Sequence, residues 1–583
     1  MPQHSSSITT AKDAFAKLIN AAVTKTEATA HVNGDEITEA DVRHGDLSFA
    51  LHRLAQQLQK NPVELAATLT AISEKLLTEA PTDYASIASV TATGPYLNAR
   101  LDQTAFADST VKAALHKKFT ASPSAKKKYL LEYVSPNTNK PLHLGHLRNA
   151  ALGWSIGELL KATGSKVVRA QVVNDRGIHI MKSLLAYERW GNNETPESSG
   201  LKGDHLVGKY YVRFSNEEKE NPKLIEEAQV YLKRWEEGDQ KIRALGAQLN
   251  AWAEQGYEET SKRFGIAFDR TDHESELYEA GRKIVMSALK QGLVKKREDG
   301  AIVADLSAEG LEEKVLLRSD GTTVYVTQDL ALAKKRLAKE KPDAMLYVVG
   351  QEQDHQFKIL FVLLERFGIA KASELMHLSY HWVLLLEGRM KSREGTVVDA
   401  DDLLNELHRL ALKELTARKQ DLPEQELKRR AEVISNAAIK FYLLNVRPKV
   451  SIHFDPKASI SFTGRTGPYL LYTLARIKSI LRKADVRTRD TKPRSVTEKE
   501  WIVVRDLARY GEIIESAAKN NDPSDVADYA YTLARSITAF YEADPVLTAE
   551  PQVRAWRLNL LSASVATLTH ALSLLGITAL EEM

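Results

Sequence analysis

At 583 residues the chain is too long for one hydrophobic core, since single cores stop growing near ~250–300 residues. Its 43% hydrophobic and 27% charged content fits a globular protein in water, and a net charge of +3 supplies no global field for a polyanion. There is no cysteine, which excludes disulfides, thiolate nucleophiles and Cys-ligated zinc. The longest apolar runs, such as Trp382 to Leu386, are strand-sized, and MPQHSSSITTAKDAF lacks the pattern of a secretion signal. A cytoplasmic protein without membrane contact is expected.

Up to about Leu115 the pattern is helix-like, with a hairpin near Tyr96. Gly45 to Leu58 places apolar residues at helical spacing, and Asn61-Pro62 opens a further helix. The basic stretch Lys117 to Lys128 reads as a linker. Tyr129 to Val134 then predicts a buried strand, Ser135 to Leu142 a turn-rich loop, and His143 to about Thr163 a helix stopped by Gly164. Lys166 to Val173 is a second strand, so the unit is βαβ and its strands should be parallel. Residues from about 185 to 310 are charged and mainly helical and read as an insertion. Strands are expected again at Thr322–Val326, Met345–Val349 and His381–Leu386, and only helices from about Glu424 onward. The architecture these elements predict is a doubly wound, parallel-sheet (Rossmann-like) α/β domain at 117–425. An α+β appendage at 1–116 precedes it, and an all-α bundle at 426–583 follows.

His143-Leu144-Gly145-His146 opens the helix after the first strand, where unpaired N–H groups and the helix dipole attract phosphate. Gly145 lets a nucleotide approach the backbone, both histidines project from the same turn, and Lys140 adds a positive charge just upstream. Two other readings of the pair stand beside this one: capping and packing, or metal ligation with Asp175 and His179. Gly388 to Val398 (GRMKSREGTVV) carries Arg389, Lys391 and Arg393, as a clamp over triphosphate or simply as a solvated basic loop. Glu132, Asn137, Tyr325, Asp329 and Gln353 offer planar acceptors of the kind that a guanidinium needs. Taken singly, Glu132 also fits a buried salt bridge, and Asp329 a helix cap or first-turn residue. Tyr469 and Tyr472 suit either base stacking or the core of a bundle.

SPNTNKPLHLGHLRN (Ser135 to Asn149) resembles the first signature of class I aminoacyl-tRNA synthetases in its arginyl form. GRMKSREGTVV resembles their second, a Lys-Met-Ser-Lys-Ser loop. Aligned on Met390, Arg389 and Ser392 stand at its two lysines, and the resemblance gives the compensating role to Lys140. TGRTGPYLLYTLAR (from Thr463) is similar to the opening of the family's anticodon-binding domain, and LLGITALEEM to its terminus. GDLSFALHRLAQQLQKNPVELA is similar to its N-terminal domain, which contacts the outer corner of tRNA.

The resemblance implies ATP-dependent activation of arginine and its transfer to tRNA(Arg), with Lys140, His143, His146 and Lys391 catalytic. It places ATP against those four residues and Gly145, Gly350, Met390 and Arg393, and arginine against Glu132, Ser135, Asn137, Tyr325, Asp329 and Gln353. Tyr469, Tyr472 and Met583 fall where the family meets tRNA. Mg²⁺ accompanies ATP, with no prosthetic group or protein-held metal, and the chain is expected to be a monomer. Another class I ligase or adenylyltransferase, and a catalytically silent RNA-binding paralogue, are the alternatives.

Overall fold

The computed structural model describes residues 7–26, 30–40, 43–120, 127–385, 398–418, 422–484 and 491–583. Phe15, Leu18, Ile19 and Ala22, at helical spacing, bury one side of α1 (Ser7–Thr24). Strands β1 (Thr38–Glu39) and β2 (Leu47–Ala50) are followed by helices α2 (His52–Gln57) and α3 (Pro62–Glu79). Asn61 caps α3 by accepting from the N–H groups of Val63 and Glu64, with Pro62 in the first turn. The expected hairpin is β3 (Ile87–Thr93) and β4 (Tyr96–Leu101), and α4 (Gln103–Leu115) leads out of an antiparallel sheet ordered β1-β2-β4-β3. The helix expected over Gly45–Leu58 is corrected. Leu47 and Phe49 alternate inward and pair with Ala99 and Leu97, so the first half is strand and the helix waits until His52.

In the central domain β5 (Lys128–Glu132), α5 (Leu144–Ala162) and β6 (Lys166–Val173) form the expected βαβ unit, with β5 and β6 parallel and Gly164 left-handed after the helix. Helices α6 (Ile178–Trp190), α7 (Pro196–Ser199), α8 (Gly203–Glu220), α9 (Leu224–Glu237) and α10 (Gln240–Phe264) occupy the charged segment. The next element, β7 (Arg270–His273), is the edge strand of the main sheet rather than part of a helical insertion. After α11 (Tyr278–Lys290) comes a small antiparallel sheet of β8 (Lys295–Lys296), β9 (Ile302–Ala304) and β10 (Lys314–Leu317). Then α12 (Tyr325–Glu340), β11 (Ala344–Gly350), α13 (Asp354–Arg366) and β12 (Leu375–Tyr380) complete a parallel sheet ordered β12-β11-β5-β6-β7. The strand expected at Thr322–Val326 is also corrected. Thr323 bridges back to Leu317 around a turn at Gly321, and Val326, Leu330 and Ala333 bury one face of α12 instead.

β13 (Val383–Leu385) precedes α14 (Ala400–Arg418), whose N-terminal N–H groups at Asp401 and Asp402 are capped by Asp399, not started by Asp401 as expected. α15 (Glu424–Leu444) follows, and β14 (Ile452–Phe454) then pairs in parallel with β13, a strand where only helices were expected. The remainder is the bundle: α16 (Pro456–Ser459), α17 (Gly467–Ala484), α18 (Glu498–Asn520), α19 (Ser524–Ala543) and α20 (Pro551–Leu574). The class is the expected one, a doubly wound parallel α/β domain between an α+β domain and a helical one.

Helix α5 lies between the sheet and the bundle, and Arg148 fastens it to the segments that lead into β13 and β14. Its guanidinium is fully buried, and no carboxylate among the described residues pairs with it. It donates instead to the carbonyls of His381 (2.6 Å), Trp382 (3.1 Å), Arg447 (3.3 Å), Pro448 (3.1 Å) and Val450 (2.8 Å). A buried cation is costly unless its N–H groups are used, and here two separate chain segments use them. From the other side, Ser155 donates to Leu574 O at 2.7 Å.

Candidate active site

His143 is extended (φ −134°, ψ 173°) at the N-cap of α5, and its ring stacks on that of His146 with centroids 3.8 Å apart. The His143 N–H donates to His146 Nδ1 at 3.1 Å, which leaves the proton of that imidazole on Nε2. Burial, then the charge of Lys140, push the His143 ring down to about 4; the same two causes and His143 itself hold His146 well below its usual range. Both rings are therefore neutral donors at pH 7 rather than cations. A Cβ at Gly145 would lie 3.0 Å from the His143 ring, so the glycine protects this stacking as well as access to the backbone.

The loop before the helix is held by α10. The Tyr257 hydroxyl sits 2.7 Å from the carbonyl of Asn137 and 2.8 Å from that of Lys140, sharing its proton between them. Thr138 donates to Asn250 Oδ1 at 2.6 Å, and Asn250 donates on to the Asp175 carbonyl. The segment read as an insertion thus supports the signature loop. Arg389, Met390, Lys391 and Arg393 lie outside the described residues. The end of their loop does not: Leu144 N–H donates to Val398 O at 2.9 Å and Ala400 N–H to Leu142 O at 3.0 Å, an antiparallel bridge between His143 and Asp399.

Among the described residues, the metal reading gathers no set around the two histidines. Asp175 accepts from the N–H (2.8 Å) and hydroxyl (2.5 Å) of Ser275, and His179 faces the Tyr211 hydroxyl at 3.1 Å. Asp204, His205 and Asp401 do bring ligand atoms within 4.8 Å of one another. Lys202 already bridges Asp401 and Asp204, so the protein's own ammonium supplies the cation there.

Beyond the carboxyl ends of the strands, where open α/β sheets take ligands, the structure brings Ser135 and Asp329 close to Glu132, while Gln353 contacts none of them among the described residues. Glu132 forms a buried ion pair with Arg336, which also bonds Asp272 at 2.9 Å; the salt-bridge reading of Glu132 is the one the structure realises. Ser135 Oγ lies 3.3 Å from Glu132 Oε1, and Asn137 bridges to Asn174 across the loop. Tyr325 opens α12 with its side chain exposed, and Asp329 stands one turn later on the same face. Asp329 makes no hydrogen bond among the described residues; burial and the charge of Glu132 push its carboxyl up to about 7. Gly350 ends β11, and Gln353 closes the exposed turn after it.

The sequence reading missed Glu274. It follows β7, is 4% exposed, and has no hydrogen-bond partner for Oε2. Burial and the charges of Asp329 and Asp175 push it up to about 8, against the pull of Arg176. A strand as polar as Arg-Thr-Asp-His gave no hydropathy signal, so the acid at its end went unnoticed. Asp329 and Glu274 are two raised carboxyls that a cation would ionise, and a guanidinium offers the planar donors to do so. Tyr469, Tyr472 and Met583 belong to the bundle: Tyr469 packs on Tyr531 with centroids 5.7 Å apart, Tyr472 is exposed on α17, and Met583 is half-buried.

Residues 110–453 match the family model for the class I (R) tRNA synthetase catalytic domain, 13–101 that for the arginyl-tRNA synthetase N-terminal domain, and 470–583 that for the DALR anticodon-binding domain. The chain belongs to the arginyl-tRNA synthetase family. It is 43% identical over 480 residues to the arginine–tRNA ligase of Parabacteroides distasonis, covering 78% of this chain and 80% of that protein. With the arginine–tRNA ligase of Treponema denticola it shares 41% over 553 residues, 92% of this chain and 93% of that one. The arginyl-tRNA synthetase of Thermus thermophilus superposes with a TM-score of 0.80 at 28% identity, over 98% of this chain and 99% of that one. Class I synthetases of this family use ATP, and the DALR domain is their anticodon-binding module. No described helix of this synthetase-family chain is long and apolar enough to cross a membrane.

Proposed function

We propose that this chain is a ligase that joins arginine to tRNA(Arg) in two steps. An arginine carboxylate oxygen attacks the α-phosphorus of ATP, the bond to the bridging oxygen breaks, and pyrophosphate leaves. The terminal ribose hydroxyl of tRNA then attacks the carbonyl carbon of arginyl-adenylate and AMP departs. His143 and His146 donate to phosphate oxygens as neutral imidazoles, and Lys140 adds the charge that the two altered positions of the second loop lack. Gly145 and Gly350 border the nucleotide, and Met390, Lys391 and Arg393 act on it from the second loop. Positioning and electrostatic stabilisation do the chemistry, without a covalent enzyme intermediate. Mg²⁺ comes with ATP as part of the substrate.

The observation that carries the arginine assignment is the pair of carboxyls Asp329 and Glu274, raised by burial and joined by no hydrogen bond among the described residues. These two take the guanidinium with Tyr325; Ser135, Asn137 and Gln353 take the α-amino and carboxylate end; Glu132 acts from behind, through its pairing with Arg336. Tyr469, Tyr472 and Met583 meet tRNA. We divide the chain into units at 1–116, 117–425 and 426–583; the matching models span 13–101, 110–453 and 470–583, so the catalytic model runs past the second of these boundaries. We take the working form to be a cytoplasmic monomer.

ATP–pyrophosphate exchange across the twenty amino acids, with and without unfractionated tRNA, tests the assignment. Exchange is expected with arginine alone. Exchange driven by another amino acid would overturn the pocket, and none at all with tRNA still bound would favour the silent paralogue.

A further inference from the structure

Arg176 stands at the back of the amino-acid pocket and has no part in the mechanism above. Gly177, which follows it, has φ 106°, a turn that only glycine adopts readily, and this sets Arg176 inward just before α6. The side chain is 5% exposed and is held from helices α9 and α11 of the segment read as an insertion. Glu236 on α9 forms an ion pair with it. Its centre lies 5.6 Å from the ring of Trp235 and 4.7 Å from that of Tyr278 on α11. Two of its donors, Nε and Nη1, are buried and reach no acceptor.

The charges around Glu274 are few. Asp175 and Arg176 face it from the loop after β6, and Asp329 and the Tyr325 hydroxyl from α12. Asp329 has its nearest cation in Arg336, which Glu132 and Asp272 already share. Arg176 is therefore the cation that acts on Glu274, yet no hydrogen bond joins the two. Ser275 donates to Asp175 from its N–H (2.8 Å) and hydroxyl (2.5 Å), which ties the turn carrying Glu274 to the loop carrying Arg176. Each side buries orphans, donors without acceptors on Arg176 and an acceptor without a donor on Glu274, and each is destabilising until it is matched.

Building on the arginine-pocket reading, we propose that Arg176, clamped by the insertion helix α9, is a specificity-determining residue. It is the resident cation that balances the Glu274 carboxylate and so keeps it available to the substrate guanidinium. The carboxylate is shared, with Arg176 on one side and arginine on the other. Helix α9 thereby helps set which side chain the site accepts, although none of its residues touches the substrate.

A neighbouring opposite charge moves a carboxyl by about 1–3 pH units, and removing even the lower end of that at neutral pH should cost about tenfold in arginine affinity. The test is the KM for arginine in pyrophosphate exchange between pH 7 and pH 9, with the KM for ATP as control. For Arg176→Gln we expect about a tenfold higher KM for arginine at pH 7, a gap that narrows toward pH 9 as Glu274 ionises unaided. Arg176→Lys, which keeps the charge, should recover most of the loss. Arginine's advantage over citrulline, its uncharged ureido counterpart, should fall in step.

If Arg176→Gln does not fold, Arg176→Met, which fills the gap between the two rings, replaces it. An arginine KM equal to wild type at pH 7, or raised by the same factor at pH 7 and pH 9, overturns the inference, because a merely structural role has no pH signature. Asp329→Asn and Glu274→Gln separate the two levels. If neither raises the KM for arginine, the pocket reading fails and takes this inference with it; if both do and Arg176→Gln does not, the inference alone falls.

Discussion

Lowering the pH from 8 to 6 should loosen the hold on arginine well before it harms the nucleotide site. In the empty pocket Asp329 sits at about 7 and Glu274 at about 8, raised by burial and by the other carboxylates around them. Arginine keeps its guanidinium charge throughout this range, so only the protein titrates. An acid at about 7 is roughly nine-tenths ionised at pH 8 and one-tenth at pH 6, which weakens binding about ninefold through Asp329 alone. For Glu274, at about 8, the same interval takes the ionised fraction from roughly one-half to one-hundredth, about fiftyfold. The two share their protons, so the loss expected lies between about ninefold and the product of both, roughly 450-fold. The sign follows from linkage: the empty pocket holds protons that the loaded one gives up, so affinity rises with pH and levels off above about 8. Titration calorimetry at pH 6, 7 and 8, in two buffers of different ionisation enthalpy, reads both affinity and protons released. We expect between one and two protons per arginine at pH 6, falling below one at pH 8. Affinity that varies less than about twofold, with heats independent of buffer, would refute the pairing of these carboxyls with the guanidinium.

Three more predictions follow from the same contacts. Asp329→Asn should abolish arginine-dependent exchange yet raise the Tm of the unliganded protein at pH 8. Ionising Asp329 in the empty fold costs up to ~4 kcal/mol, a burden that grows as pH rises from the unfolded carboxyl value near ~4 to about 7. Tyr257→Phe leaves two carbonyls of the signature loop without their donor; we expect ~1–3 kcal/mol lower stability by denaturant unfolding and a reduced kcat/KM for ATP, and an unchanged kcat/KM would argue against the loop's dependence on α10. His146→Ala should lower exchange by about 10²–10³ with tRNA affinity unaffected, while wild-type kcat at saturating arginine should stay flat from pH 6 to pH 9, because both signature imidazoles titrate far below that range.

The nucleotide half of the site was legible because its cues are local. An apolar strand, a loop, paired histidines at a helix start and a stopping glycine fall within about forty residues, and β5, α5 and β6 appear where the spacing puts them. The amino-acid half was legible only in part. The one buried residue of β7 is Asp272, held by ion pairs with Arg270 and Arg336, which a hydropathy pattern cannot register, and Glu274 was lost with it. Thr322 to Val326 read as a strand because Thr and Val are β-branched; the burial of Val326, Leu330 and Ala333 on one face decided for helix. The partner of Glu132 lies at Arg336, far along the chain, and no local rule points to it. The same is true of Arg176, whose clamp comes from a helix that looked like mere insertion.

The fastening of α5 by Arg148 has an evolutionary consequence. All five of its acceptors are main-chain carbonyls, in residues 381–382 and 447–450, so the side chains at those positions are free to change without loosening the joint. The segments leading into β13 and β14 can diverge residue by residue and stay docked on the signature helix. A single inserted or deleted residue in either segment would shift the carbonyls out of reach of the guanidinium. The joint between the signature helix and the β13–β14 pair is thus tolerant of substitution and intolerant of changes in length.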